Sequence, residues 1–492
     1  MSMPGPAAAR PFGVQMPTWP ARAPRQAAAP AQIAPDLAHA LRAAGLRDGA
    51  ALSFHHHFRN GDGVLNIALD AAATLGVADL TVMPSSVFPV HGPLAGHIAR
   101  GTVGGLRTAY VAGPVAKGLG KLARPAVLTT HGGRARDVEA GRATPDIAII
   151  AAAMADRAGN LTGLAGDQAF GPMGYAQPDA AHARHVIAVT DCLVDGLPVP
   201  ASIPGTQVDQ IVVQDRIGAA AEIVSGTTLI TQEVQGQHIA DMAARLIAAS
   251  GAMRPGFNFQ TGAGGVSLAV AARLGTLMAE SGVTGGFACG GITAPLVALH
   301  RAGLFARLRD VQCFDLAGVE SLARDAGHTA MSASEYAHPD RADAVVNALD
   351  AVILGAAEVD LDFNVNVTTG SDGRILGGSG GHADCAAGAG LCIIVTRATA
   401  RGMSRIVDRV ACRTTPGRDV DAVVTERGVA VNPARPELAE RARAADLPVT
   451  TLDEMRAGLP KPVATAAEGP VTALCEYRDG SVIDVIRGYD GR

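Results

Sequence analysis

The sequence predicts an α/β fold of two related open, mostly parallel-sheet units, with a C-terminal β-hairpin. Short β-rich runs alternate with helical or glycine-rich segments, the βαβ pattern of a parallel sheet. The chain of 492 residues is 48% hydrophobic but only 3% aromatic, with 59 Gly, so small side chains let helices sit close on a sheet. The alternation restarts near residue 235 without a sequence repeat, which makes the likeness of the two units architectural.

Residues 1–35 hold eight Pro and no Asp or Glu, and Arg10, Arg22 and Arg25 are their only charges. Such a stretch cannot offset its chain entropy, so it reads as a dispensable disordered extension. Arginine without acid is also the composition of an organelle transit peptide, the second reading. The first unit is expected over 36–232. Helices fall at 38–44 and 65–75, and strands at 50–58, 79–83, 108–111, 126–129, 146–151, 186–190 and 210–213. The second unit is expected over 233–492. Ile239, Met242, Ala243, Leu246 and Ile247 share one face of a helix over 238–250. A strand at 257–260 runs through a glycine turn into a helix over 266–280. Strands follow at 287–289, 311–314, 351–354 and 391–395. Runs 471–477 and 482–486 flank Asp479-Gly480, a hairpin turn.

Charge and composition exclude several classes of function. A net charge of −5 gives no basic surface for nucleic acid. No uninterrupted apolar run reaches the roughly 18 residues of a membrane span. Seven Cys without a CxxC pair argue for a reducing, cytoplasmic setting and against a disulfide framework or a Cys-based zinc site.

Five segments carry chemistry. The run Ser53–Asp62 contains His55, His56, His57, Arg59 and Asp62 at a strand's carboxyl end, where open α/β sheets bind ligands. It reads as a site for a polyanionic carboxylate, as a metal site, or as structural histidines. Bound as imidazolium, a carboxylate would be held less well as pH rises through about 6–7. Gln260–Gly265 opens a helix with Gly262, Gly264 and Gly265. Ser267 stands where a dinucleotide fingerprint needs its third Gly, and no Gly-Lys-Ser/Thr follows. A phosphate or thioester-oxygen cradle remains, beside a plain tight turn. The loop 377–384 carries Gly377, Gly378, Gly380, Gly381, His382 and Asp384, and reads as a close approach to ligand or as a surface loop. Residues 360–368 alternate, which would place Asp360, Asp362, Asn364 and Asn366 on one strand face, either solvated or walling a polar cleft. Arg134, closing the run His131-Gly-Gly-Arg134, could add a cationic clamp.

Nine stretches in order resemble the citrate lyase alpha subunit family: SFHHHFRNGD (53–62), HGGR (131–134), ASIPGTQVDQIV (201–212), FQTGAGGVSLAV (259–270), GGITAPLVALH (290–300), FNVNVTTGSDG (363–373), GGSGGHAD (377–384), GVAVNPARPELAER (428–441) and YRDGSVIDV (477–485). The resemblance runs from about residue 40 to the C terminus. It implies two domains of the coenzyme A transferase type, with the site between them. It implies exchange of acetate on a carrier-protein thioester for citrate, after which a lyase subunit cleaves citryl-carrier. The implied partners are the beta (lyase) and gamma (acyl carrier) subunits in an oligomer. The implied thiol is the carrier's phosphoribosyl-dephospho-coenzyme A, or coenzyme A itself. No cofactor is expected to be tightly bound and no metal is needed by this subunit. Glutamate-dependent coenzyme A transferases carry Ser-Glu-Asn-Gly where this chain has Ala288-Cys289-Gly290-Gly291. With no carboxylate there, direct transfer through a mixed anhydride is expected, and Cys289 is a weak alternative nucleophile. The catalytic residues are not fixed by the sequence. The resemblance leaves His55, His56, His57 and Arg59 for carboxylates, with Asp62, Arg134, Asn364, Asn366, His382 and Asp384 as further substrate candidates. The six glycine-loop positions and Gly265 are left for the thioester end. A free-standing transferase for citrate, citramalate or a related acid is the alternative, and a non-catalytic ligand sensor a third reading.

Overall fold

The computed structural model describes residues 21–224, 228–460 and 469–488. Two large sheets organise it. The first has ten strands in the order Gln32–Ala34, Gln210–Val213, His185–Thr190, Ile147–Ala152, Ala51–Phe54, Leu80–Pro84, Val103–Thr108, Ala126–Leu128, Val471–Glu476 and Val482–Arg487. All its neighbours run parallel except the final pair. The second has nine strands in the order His328–Ala330, Phe305–Cys313, Gly285–Ile292, Phe259–Thr261, Ala351–Gly355, Cys392–Val395, Ala422–Thr425, Gly428–Val431 and Val449–Thr450. Only Ala422–Thr425 and Gly428–Val431 pair antiparallel there.

Both sheets reverse their winding at one place. In the first, the chain moves outward from Ala51–Phe54 on one side and restarts at Ile147–Ala152 on the other. In the second, Phe259–Thr261 and Ala351–Gly355 hold the same relation. The crevice outside the carboxyl ends at such a reversal is where open α/β sheets hold ligands. Strand interiors are almost wholly apolar, as in Ile147–Ala152, buried at every residue, because helices cover both faces of a parallel sheet. The helix Val234–Ser250 buries Ile239, Met242, Ala243, Leu246 and Ile247 as its sequence pattern predicts. It packs on Gly265–Ser281.

Five expectations change. The strand expected at 108–111 lies instead at Val103–Thr108. The segment 50–58 is strand only over Ala51–Phe54, since the chain turns at the histidines and Arg59 takes φ +52°. Residues 360–368 are not one strand: Glu358–Asp360 turns back on Val365–Asn366. Asp360 drives the turn by accepting from the N–H groups of Asp362 and Asn364 at 3.1 and 2.9 Å, an Asx-type local bond. The terminal hairpin does not close the second unit; Val471–Glu476 pairs with Ala126–Leu128 of the first sheet, so the span 233–492 is not one self-contained unit. The first 35 residues are not wholly detached. Those before residue 21 lie outside the described residues, but Arg25 bonds Asp209 at 2.7 Å and Gln32–Ala34 forms an edge strand on Gln210–Val212. Among the described residues no helix is long and apolar enough to cross a membrane.

Candidate functional site

The first reversal point is filled by the histidine run. His55, His56 and His57 are 5%, 3% and 1% exposed, so they are interior groups rather than a solvated cluster. His55 Nε2 meets Asp179 Oδ2 at 2.9 Å. The same carboxylate receives Arg134 through both guanidinium nitrogens, at 2.9 and 2.6 Å, the bidentate geometry that makes such pairs strong. Burial opposes ionisation of Asp179, but Arg134 and His55 outweigh it and hold the carboxyl below its usual range. His56 Nδ1 lies 2.5 Å from Ser85 Oγ, and its ring stacks on Tyr175 at 4.8 Å. His57 lies between His55 at 5.7 Å and Phe170 at 5.0 Å, and neither ring nitrogen has a hydrogen-bond partner among the described residues.

Burial lowers the pKa of all three histidines, most strongly for His56 and His57. His131 is driven to about 3 by burial and then Arg134. These rings are neutral at pH 7. The imidazolium expectation is therefore corrected: a dry site disfavours the charged form, and each neutral ring carries a single N–H.

Arg59, unlike the histidines, stays charged. Burial lowers it only to about 10. Its guanidinium sits 4.1 Å from the ring centroid of Phe314 and 5.3 Å from that of Phe88, a cation–π seat that holds the group without neutralising it. Phe314 belongs to the second unit, and its neighbour Gln312 donates from Nε2 to His56 O at 2.7 Å. Gln312 Oε1 has no partner among the described residues. Arg59 and the His56 backbone thus meet Phe314 and Gln312 where the two sheets' carboxyl edges face each other, with His57 one residue further along the same run.

Other predicted residues are spent on architecture. Asp62 caps the helix Val64–Thr74 through Val64 N at 3.2 Å and pairs with His91 Nε2 at 2.9 Å. Asn364 accepts from Gly417 N at 3.0 Å. Buried Asn366 donates to Glu358 at 2.8 Å and accepts from Thr368 and Thr369. His382 bridges Gly355 O at 2.9 Å and Thr415 Oγ1 at 2.8 Å. Asp384 accepts from Thr130 Oγ1 and Gly132 N, both at 2.9 Å, and so caps the helix His131–Ala140 from across the interface. Gly377, Gly378 and Gly380 stitch the units together: His131 N donates to Gly380 O at 2.8 Å, and Gly380 N to Ala109 O at 3.0 Å, while Gly381 packs on Tyr336 within the second unit. A Cβ at Gly378 would lie 2.4 Å from Ala109 O, so glycine is required for this close approach. Gly262 donates to Ile353 O at 2.8 Å, while Gly264 caps and Gly265 opens the helix Gly265–Ser281. Cys289 is fully buried and donates to Gln260 Oε1 at 3.2 Å. Burial pushes its thiol pKa well up, which removes it as a thiolate nucleophile.

Asp179, Tyr175, Phe170, Gln312, Phe314 and Phe88 were not marked by sequence reasoning. A single acid inside the small-residue helix Ala176–His182 was the one available signal, since Gln312 sits in a strand that already carries Arg307, Arg309 and Asp310.

The family described as "Citrate lyase, alpha subunit (CitF)" matches residues 31–489. The chain belongs to the citrate lyase alpha subunit family. The citrate lyase alpha chain of Escherichia coli (strain K12) is 42% identical over 463 residues, 92% of this chain and 90% of the relative. That of Klebsiella pneumoniae is 40% identical over 464 residues, 93% and 91% of the two chains. A citrate lyase alpha subunit from Streptococcus mutans, solved in complex with citrate, superposes with TM-score 0.94 at 38% identity, covering 97% of this chain and 96% of that one. A malonate decarboxylase alpha subunit from Acinetobacter baumannii (TM-score 0.64, 18% identity, 86% of both chains) shares the fold. So does an Escherichia coli O157:H7 acyl-CoA transferase (TM-score 0.55, 17% identity, 83% and 89%). The citrate lyase alpha family thus carries the two-sheet transferase-like architecture expected above.

Proposed function

We propose that this chain is the transferase subunit of a citrate lyase, exchanging acetate on a thioester for citrate to give a citryl thioester and free acetate. The observation that carries this reading is the near-complete correspondence with the citrate-bound Streptococcus mutans alpha subunit, combined with a buried cationic site at the sheet reversal. Citrate brings three carboxylates. Arg59 supplies the charge, and neutral His57, whose ring nitrogens are unpartnered, supplies one N–H donor. Arg134 acts one step behind, fixing Asp179 and through it His55.

The reaction runs as two acyl transfers. A citrate carboxylate oxygen attacks the acetyl carbonyl carbon, the C–S bond breaks, and thiolate leaves a mixed anhydride. The thiolate then attacks the citryl carbonyl and acetate departs. First-turn N–H groups of Gly265–Ser281 are the orphan donors that would face a thioester oxygen or phosphate. No glutamyl thioester forms, because the position that would carry it is Cys289, buried and tied to Gln260. The thiol is supplied by phosphoribosyl-dephospho-coenzyme A on a carrier (gamma) subunit, with a lyase (beta) subunit consuming the product in the cytoplasm. The transferase step itself uses no metal and no tightly bound cofactor.

The test is direct. Purified protein, acetyl-CoA and citrate should give citryl-CoA and acetate. Arg59→Gln should lower kcat/KM for citrate by roughly 10- to 100-fold, the worth of a charge-assisted bond in a dry site. Borohydride or hydroxylamine trapping with donor present should yield no adduct on any carboxylate. Absence of citryl thioester sinks the reading, and an adduct located by mass spectrometry sinks the mechanism.

A further inference from the structure

The second sheet has its own reversal crevice, apart from the Arg59 and histidine cluster that would hold carboxylates. It opens between Phe259–Thr261 and Ala351–Gly355. Gly262, Gly264 and the start of the helix Gly265–Ser281 line one side, and Gly355 the other. A Cβ placed on Gly355 would meet nothing within 4 Å, so space lies over that strand end. Beyond it, residues 397–413 contain Arg397, Arg401, Arg405, Arg409 and Arg413 against the single acid Asp408.

Arg405 stands at this strand end, and Arg397 and Arg401 lie within electrostatic reach of it. Arg405 Nη1 reaches Ala356 O at 3.1 Å and Thr396 Oγ1 at 3.2 Å, next to the Gly355 carbonyl that receives His382. Arg401 lies at the tip of a short hairpin formed by Thr399–Ala400 and Met403–Ser404. Its turn pair, Arg401 and Gly402, takes φ +51° and +75°. That is the type I′ pattern, in which Asn, Asp or Gly usually fills the first place, so a long cation is held outward at some conformational cost. Two acids lie at the hairpin base: Glu233 pairs with Arg397, and Glu426 accepts from Ala398 N at 3.2 and 3.0 Å. Arg401 and Arg409 form no ion pair among the described residues. Burial, and then the charges of Arg397 and Arg401, lower the Arg405 pKa, so Arg405 lies within electrostatic reach of both.

We propose that this hairpin, through Arg401 with Arg397 and Arg405, grips the phosphate groups of the coenzyme A-type thioester, while the pantetheine arm lies in the second crevice toward Arg59. The inference rests on the transferase reading. The reach is right: Phe314 ends one strand and Arg397 follows another four places along the sheet. Four interstrand spacings span roughly 19 Å, comparable with an extended pantetheine arm. The helix start at Gly265 adds backbone donors along that path.

Titration calorimetry with coenzyme A and with phosphate-free pantetheine tests this on the full chain. Arg401→Glu should weaken coenzyme A binding about tenfold, the loss of a charge-assisted contact plus repulsion, and the pantetheine Kd should move less than twofold. Arg405→Gln should act in the same sense, and Arg443→Glu, an exposed control, should not. Coenzyme A binding should also weaken with added salt. An unchanged coenzyme A Kd in Arg401→Glu overturns the proposal. So does an equal loss for pantetheine, or a loss seen only with the acyl-carrier subunit, which would point to protein docking instead. Arginine-dependent coenzyme A binding without citryl transfer would uphold the phosphate grip and sink the transferase reading.

Discussion

A single buried carboxylate, Asp179, ties the histidine run to Arg134, and each removal has a distinct consequence. Asp179→Asn leaves Arg134 without its bidentate partner in a dry site. We expect a loss of about 3–5 kcal/mol in urea unfolding, because an uncompensated buried charge is costly; a change within error would mean that water reaches Arg134. The neutral histidines make a second prediction. The folded-state pKa is about 3 for His131 and about 4 for His338 and His382, against 6.5 in an unfolded chain. Above 6.5 both states are neutral and these groups contribute nothing to pH dependence. Below it the unfolded chain binds protons that the folded chain refuses, so stability falls as pH drops from about 6.5 toward 4. The raised pKa of Asp384 works in the opposite sense over the acid range. We expect the urea midpoint to fall between pH 7 and 5, with a shallower slope in His382→Gln; a midpoint that rises on acidification would contradict buried neutral rings.

Two short elements at the chain ends carry more than their length suggests. Gln32–Ala34 covers the exposed edge of Gln210–Val213, and Arg22 and Arg25 tie the preceding segment to the first unit. Deleting residues 1–35 should therefore lower the unfolding temperature by several degrees and leave a bare strand edge prone to pairing. An unchanged melting curve would return the segment to a dispensable extension. The terminal hairpin acts at the opposite edge. Its Tyr477 Oη donates to Asp419 at 2.5 Å, and Arg478 approaches Asp384 at 3.6 Å, so a hairpin on the first sheet grips the second. Tyr477→Phe should cost about 1.5–3 kcal/mol, the worth of a buried bond to a charged group, read as a lower denaturant midpoint with the slope unchanged.

At the scale of the whole molecule, the site is a property of two facing sheets. Arg59 comes from one and its Phe314 seat from the other, while Asp384 of the second unit caps the helix that carries His131 and Arg134. Much of the fold was legible beforehand. Apolar runs marked the strands, spacing marked the helices, and glycine turns marked the strand-to-helix junctions, since each is a local consequence of backbone geometry and burial. The histidine run was legible as a ligand-end motif, and the missing carboxylate at Ala288–Gly291 as a constraint on mechanism. Less was legible of what each polar residue does. The row at 360–366 has strand-like alternation, yet Asp360 captures its own backbone and turns the chain. The loop 377–384 looks poised for a ligand, yet most of it meets the other unit.

The sequence by itself determined the α/β class, the two cycles, the terminal hairpin and the family, because periodicity and local motifs are written in neighbouring residues. The tertiary structure alone decided that the hairpin joins the first sheet, that Asp179 faces His55 across 124 positions, and that Asp384 is a cap. The physical reason is burial. A polar group taken from water must find its partner wherever the fold places one, and that partner's position in the chain leaves no local trace.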